Sequence, residues 1–187
     1  MKNKMCCTTF QNRLFIILAV LLTLFNAPVF SANSLKVLES ASGGRLGVSA
    51  INTANHAEIQ YRQNERFPFC STSKVMGVAA ILQESTKKPN LLQQRIHYKQ
   101  DDLVTYSPIT EQHFRDGMTV GQLCEATLTA SDNTAINLLM KILGGPKSVT
   151  LFARSIENYS FRLNRWEPDL NTAIPNDPRD TTSPMAI

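Results

Sequence analysis

The sequence predicts a mixed α/β (α+β) fold, a helical domain beside an antiparallel sheet that this chain leaves incomplete. Several stretches repeat apolar residues at helical spacing, whereas only two neighbouring runs read as strands. A hairpin of that size is too small a sheet to be stable alone. No internal repeat or low-complexity linker divides the 187 residues.

The first residues lie outside that domain. Lys2, Lys4 and Arg13 form a basic n-region, and "LFIILAVLLTLF" (Leu14 to Phe25) is a short apolar core. In "NAPVFSANS", Val29 and Ser31 suit a cut before Ala32. This is the pattern of a secretory signal peptide over residues 1–31, too short for a comfortable membrane span. A retained anchor is the competing reading. Cys6 and Cys7 precede the apolar core, so they form no lipid-attachment site. Three of the four net positive charges belong to this leader. The remaining chain is close to neutral, which argues against nucleic acid or an anionic membrane surface as partner. Of the four cysteines, Cys70 and Cys124 remain; they read as two small buried residues rather than a disulfide framework.

Each element follows from local signals. Asn33-Ser34, "LKVLESA" and Gly43-Gly44 predict a short helix capped at both ends. "RLGVSAIN" and "AEIQYR" predict two strands joined by "NTANH", and Pro68 ends the extended region. "STSKVMGVAAILQES" is apolar around most of its circumference, as a helix in the middle of a domain would be. Thr119 and Gln122 fit a capping box opening a helix to about Ala130. Ser131-Asp132-Asn133 interrupts, "TAINLLMKIL" resumes helical spacing, and Gly144-Gly145-Pro146 stops it. "SVTLFARSI" predicts another helix, and Arg162 onward is irregular. Ser183-Pro184 resembles a helix start, yet Ile187 follows about one turn later. That predicts further sequence beyond Ile187.

The chemistry begins at "FPFCSTSKVMG". A serine hydroxyl is a weak nucleophile until a base takes its proton, and Lys74 stands one helical turn after Ser71. At a helix start, the serine N–H can also face an oxyanion. The same spacing recurs at Ser85–Lys88 without any sign of chemistry, so a helix cap followed by a solvated lysine is the competing reading. Two further motifs shift the balance. Ser131-Asp132-Asn133 supplies a hydroxyl able to pass a proton and an amide able to hold a carbonyl. "RWEPDLN" places Glu167 and Asn171 four apart, able to position one water. His56, His97 and His113 show no metal-ligand spacing, and no G-x-S-x-G elbow occurs. No metal or cofactor is expected.

In this order after an export signal, the motifs resemble the class A serine β-lactamases, of which S-x-x-K and S-D-N are signatures. The resemblance runs from about Leu35 onward and is densest at 66–78, 117–146 and 161–184. It implies a β-lactamase/transpeptidase-like fold, with 32–187 as the catalytic domain, incomplete at its C-terminus. It also implies a monomer in the periplasm that hydrolyses small-molecule β-lactam antibiotics, cyclic amides, and so confers resistance. By that resemblance Ser71 would be acylated, with Lys74 as its proton partner. Ser131 would protonate the leaving nitrogen, and Asn133 would bind the substrate's side-chain amide. Glu167, with Asn171, would prepare the deacylating water. Whether Lys74 or Glu167 acts as base in acylation stays open. Tyr106 matches an aromatic flanking the site, against the alternative of a core-facing ring. The irregular stretch looks like the family's Ω-loop, closed by an Arg165–Asp180 ion pair, with a cis Glu167–Pro168 peptide and Trp166 packed nearby.

The third family signature, K-T-G, is absent; Lys147-Ser148-Val149 is the nearest string and lies in the wrong place. In the family that strand supplies the second oxyanion-hole N–H. The expectation is therefore an inactive, poorly folded 187-residue polypeptide. A penicillin-binding DD-peptidase or a non-catalytic β-lactam-sensing domain are the alternatives. "EPDLN" favours hydrolysis over the former, and a cleaved leader would remove the latter.

Overall fold

The computed structural model describes residues 32–187, so the expected signal peptide lies outside the described residues. Two compact units divide the chain at Leu46 and Gly47. In the first, α1 (Ala32–Ser42) is followed by Gly43 at φ +68°, the left-handed position where a side chain is disfavoured. The Leu46 N–H turns back to Glu39 Oε1 at 2.9 Å. Asn33 and Ser34 were expected to cap this helix. They lie inside it, because Ala32 is already helical and a cap needs a non-helical backbone.

The second unit opens with the predicted hairpin. β1 (Val48–Ile51) pairs antiparallel with β2 (Glu58–Tyr61), Val48 opposite Tyr61 and Ile51 opposite Glu58. Asn52 organises the loop: its N–H bonds Ala57 O and its Oδ1 accepts from Ala54 N. The remaining strands are short pieces. β3 (Phe67–Pro68) pairs with β6 (Thr181–Thr182), and β4 (Arg95–Ile96) with β5 (Met118–Thr119). The described residues thus carry three separate two-stranded pairs, and two-residue strands have no alternation to read.

A 3₁₀ turn, Cys70–Thr72, leads into α2 (Ser73–Lys87), two residues later than expected. The single turn α3 (Thr110–His113) follows. α4 (Val120–Thr129) starts with the predicted capping box, Gln122 N to Thr119 Oγ1 at 3.1 Å and Thr119 N to Gln122 Oε1 at 2.9 Å. α5 (Asn133–Leu143) ends at Gly144, φ +93°, and Pro146 opens α6 (Pro146–Ser155). Ser183-Pro184 begins only a 3₁₀ turn, Pro184–Ala186. Among the described residues no helix is long and apolar enough to cross a membrane.

The central helix is α5 rather than α2. Every residue of α5 from Asn133 to Met140 is buried. α2 buries the stripe Lys74, Gly77, Val78 and Ile81 and leaves Val75 and Leu82 exposed. Where the two helices meet, a Cβ on Gly77 would stand 2.6 Å from Ile136 Cδ1, so any larger residue would force that side chain to shift. Phe69, just before the Ser71 turn, stacks on Phe161 at the stem of the irregular stretch, centroids 4.8 Å apart. Cys124 is buried as expected. Cys70 is exposed, because the turn presenting Ser71 brings residues 70–72 to the surface.

Candidate active site

Ser71 sits in the 3₁₀ turn and makes no side-chain cap, so the helix-cap reading does not hold. One turn on, Lys74 points inward and is 2 % exposed. Val75, next in sequence, is solvent-facing, and polar atoms surround the amine. Nζ lies 3.1 Å from Ser71 Oγ, 3.0 Å from Ser131 Oγ, 2.7 Å from Ser131 O and 2.6 Å from Asn133 Oδ1. Glu167 Oε1 completes the ring as a buried ion pair at 3.2 Å. Ser71 and Ser131 hydroxyls therefore contact one amine from two separate segments of the sequence.

Ser131 adopts φ +53°, and Asp132 immediately after it locks the break between α4 and α5. The Asp132 carboxylate, fully buried, accepts from Ala135 N at 2.8 Å as the α5 cap. It also accepts from Ile109 N, Thr110 N and Thr110 Oγ1 at 3.0, 2.8 and 2.9 Å. Four donors satisfy a buried charge that would otherwise be costly. The same environment acts on Tyr98, whose hydroxyl donates to Thr110 O at 2.8 Å. Burial first, then the Asp132 charge, pushes its phenol up to about 12.

Asn133 gives Oδ1 to Lys74 and one Nδ2 hydrogen to Thr105 O at 2.8 Å, leaving its second Nδ2 hydrogen for a ligand. Its N–H donates to Tyr106 O at 3.0 Å, and Tyr106 at φ +65° holds its ring 64 % exposed, not in the core.

The irregular stretch folds as a closed loop. Arg165 Nε meets Asp180 Oδ2 at 2.5 Å, and the Asn164 and Arg165 N–H groups reach Oδ1 at 2.7 and 3.1 Å. Arg165 Nη1 adds Thr172 Oγ1 at 2.5 Å. The Glu167–Pro168 peptide is cis, and Trp166 packs by Gly145. Glu167 faces inward, 3 % exposed, with Oε2 accepting from Asn171 Nδ2 at 2.6 Å. Asn137 on α5 grips its backbone, accepting from Glu167 N at 3.0 Å and donating to Glu167 O at 2.9 Å.

All nine residues singled out from the sequence are placed in these two adjoining networks. Asp132 and Asn137 were missed. Asn137 had a signal: it is an amide within an otherwise apolar helical run, one turn after Asn133. Among the described residues no three acidic, histidine or cysteine side chains cluster as a metal site.

A model of the β-lactamase enzyme family matches residues 31–187. The chain is 50% identical over 183 residues to the β-lactamase Toho-1 of Escherichia coli, covering 95% of this chain and 63% of that one. It is 52% identical over 187 residues to a β-lactamase of Proteus vulgaris, covering 96% and 62%. Among solved structures, the class A β-lactamase of the last common ancestor of Gram-negative bacteria is similar, with TM-score 0.80 and 54% identity. That match covers 83% of this chain and 59% of that one. The chain spans less than two thirds of the length of these relatives. With motifs, fold and relatives in agreement, the chain belongs to the β-lactamase enzyme family.

Proposed function

We propose that the protein hydrolyses the β-lactam ring of penicillins and cephalosporins as a class A serine enzyme, conferring antibiotic resistance. The observation that carries this is Lys74 Nζ, buried within 3.2 Å of Ser71 Oγ, Ser131 Oγ and Glu167 Oε1. Within the ion pair Lys74 first hands a proton to Glu167, recovering it once acylation is complete. The neutral amine thus takes the Ser71 proton as Ser71 Oγ attacks the lactam carbonyl. The C–N bond breaks and Ser131 Oγ–H protonates the nitrogen, regaining its proton from Lys74. A water then loses a proton to Glu167 as its oxygen attacks the ester carbonyl, and Ser71 leaves with a proton. Asn171, bonded to Glu167 Oε2, orients the carboxylate, and the remaining Asn133 Nδ2 hydrogen suits the substrate's side-chain carbonyl. The exposed Tyr106 ring suits a flanking wall. A DD-peptidase reading leaves the clamped Glu167 without a task.

The test is mass spectrometry of the complete gene product with penicillin. A transient adduct on the peptide bearing Ser71, absent in Ser71→Ala and accumulating in Glu167→Ala, is expected. No adduct on that peptide overturns the reading, and an unchanged turnover in Glu167→Ala overturns the hydrolytic role. The protein acts as an exported periplasmic monomer without cofactor; N-terminal sequencing should find a start near Ala32.

A further inference from the structure

We propose that a groove between α6 and the stem of the Ω-loop binds a phosphate group. The groove encloses about 420 Å³ and is lined by Lys147, Thr150, Arg154, Arg162, Leu163 and Asn164. Three of the six are cations and none is an acid. Lys147, Thr150 and Arg154 share one face of α6 by their spacing, and Arg162 joins them from the stem.

The two guanidiniums are already held. Arg154 Nη1 donates to Asn158 O, and Arg162 Nε donates to Asn164 Oδ1 at 2.9 Å. Both acceptors are neutral, so they orient the forks without cancelling charge. None of the three cations has an acidic partner among the described residues. Like charges collected in one concave place repel each other and concentrate anions there. Several N–H donors and no carboxylate match the oxygens of a phosphate group.

The groove touches the neck of the loop. Thr150 Oγ1 bonds the Leu163 N–H and C=O at 2.9 and 3.0 Å, tying the stem to α6. Asn164 N donates to Asp180 Oδ1, one residue before the Arg165–Asp180 pair. A bound phosphate bridging Arg162 to Lys147 and Arg154 stiffens that stem, and Trp166, the only tryptophan, lies beside it as a reporter. None of this depends on antibiotic hydrolysis.

The test titrates the intact protein with inorganic phosphate at low ionic strength, read by ³¹P line broadening. Saturable binding is expected, weakened about tenfold in Lys147→Gln and about tenfold again in Lys147→Gln/Arg162→Gln. The remote Lys88→Gln should bind as the parent does. Absence of saturable broadening, or equal broadening in parent and double variant, overturns the proposal. Thermal melting checks folding of the double variant; the single exposed Lys147→Gln change decides the matter if the double does not fold. Sedimentation with phosphatidylglycerol vesicles separates the sources. Co-sedimentation displaced by inorganic phosphate assigns a lipid headgroup, and none assigns a soluble phosphate. Co-sedimentation that phosphate leaves unchanged overturns the assignment to this groove.

Discussion

Asn137 closes on the Glu167 main chain from both sides, accepting from its N–H at 3.0 Å and donating to its C=O at 2.9 Å. The main chain that carries the central carboxylate is thus held by a helix of the core, while Asn171 of its own loop bonds the carboxylate itself. Asn137→Leu strands two buried backbone groups, each costing about 1–3 kcal/mol. Hydrogen exchange at residues 166–171 should rise while that of α5 changes little. Turnover should fall with acyl-enzyme accumulating; protection in the loop equal to the parent's would contradict the clamp.

Breaking the loop neck should be costlier. Arg165→Ala leaves the Asp180 carboxylate, 1 % exposed, with two backbone donors and no guanidinium bonded to it. Removing one partner of a buried pair costs about 3–5 kcal/mol, and partial exposure of Arg165 puts this case at the lower end. Trp166 emission should shift to the red as the loop opens. An unshifted spectrum with unchanged melting would show the pair to be dispensable.

The contact of α2 with α5 predicts a rescue. Gly77→Ala drives a methyl toward Ile136 Cδ1 and should destabilise by about 1–3 kcal/mol. Ile136→Val removes that atom, so the double variant should lose less than the two single losses together. Simple additivity in urea melts would place the strain elsewhere.

Stability should fall in alkali, in a window set by two buried acids. Burial pushes the Cys124 thiol up to about 11, and burial with the Asp132 charge pushes Tyr98 up to about 12. Both hold protons more tightly folded than unfolded. Their stabilising effect is complete below the ordinary thiol and phenol range, about 8.5 and 10, and is lost as pH rises through about 11 and 12. Melting temperature should decline across that interval, and Tyr98→Phe should flatten its upper part. A melting temperature independent of pH there would exclude both groups.

The site residues were legible because S-x-x-K, S-D-N and E-P-x-x-N are compact in sequence, and helix spacing brings Ser71 to Lys74. What joins them is not local. Asp132 reaches back to Thr110, and Asn137 reaches forward to Glu167; neither link leaves a trace in spacing. Helix α2 read as central because its sequence is apolar, yet Val75 and Leu82 face water. The polar ends of α5 disguised a helix buried through Met140. Cys70 looked like core by residue type, and the turn carrying Ser71 overrode that preference.

Five oxygens crowd the Lys74 amine, and an ammonium has three hydrogens to share among them. Whichever three are served, two go without, so the arrangement is degenerate. Turning one C–N bond exchanges the hydrogen facing Ser71 for the one facing Ser131. A hydrogen taken up at one serine can therefore depart at the other while every heavy atom stays where it is.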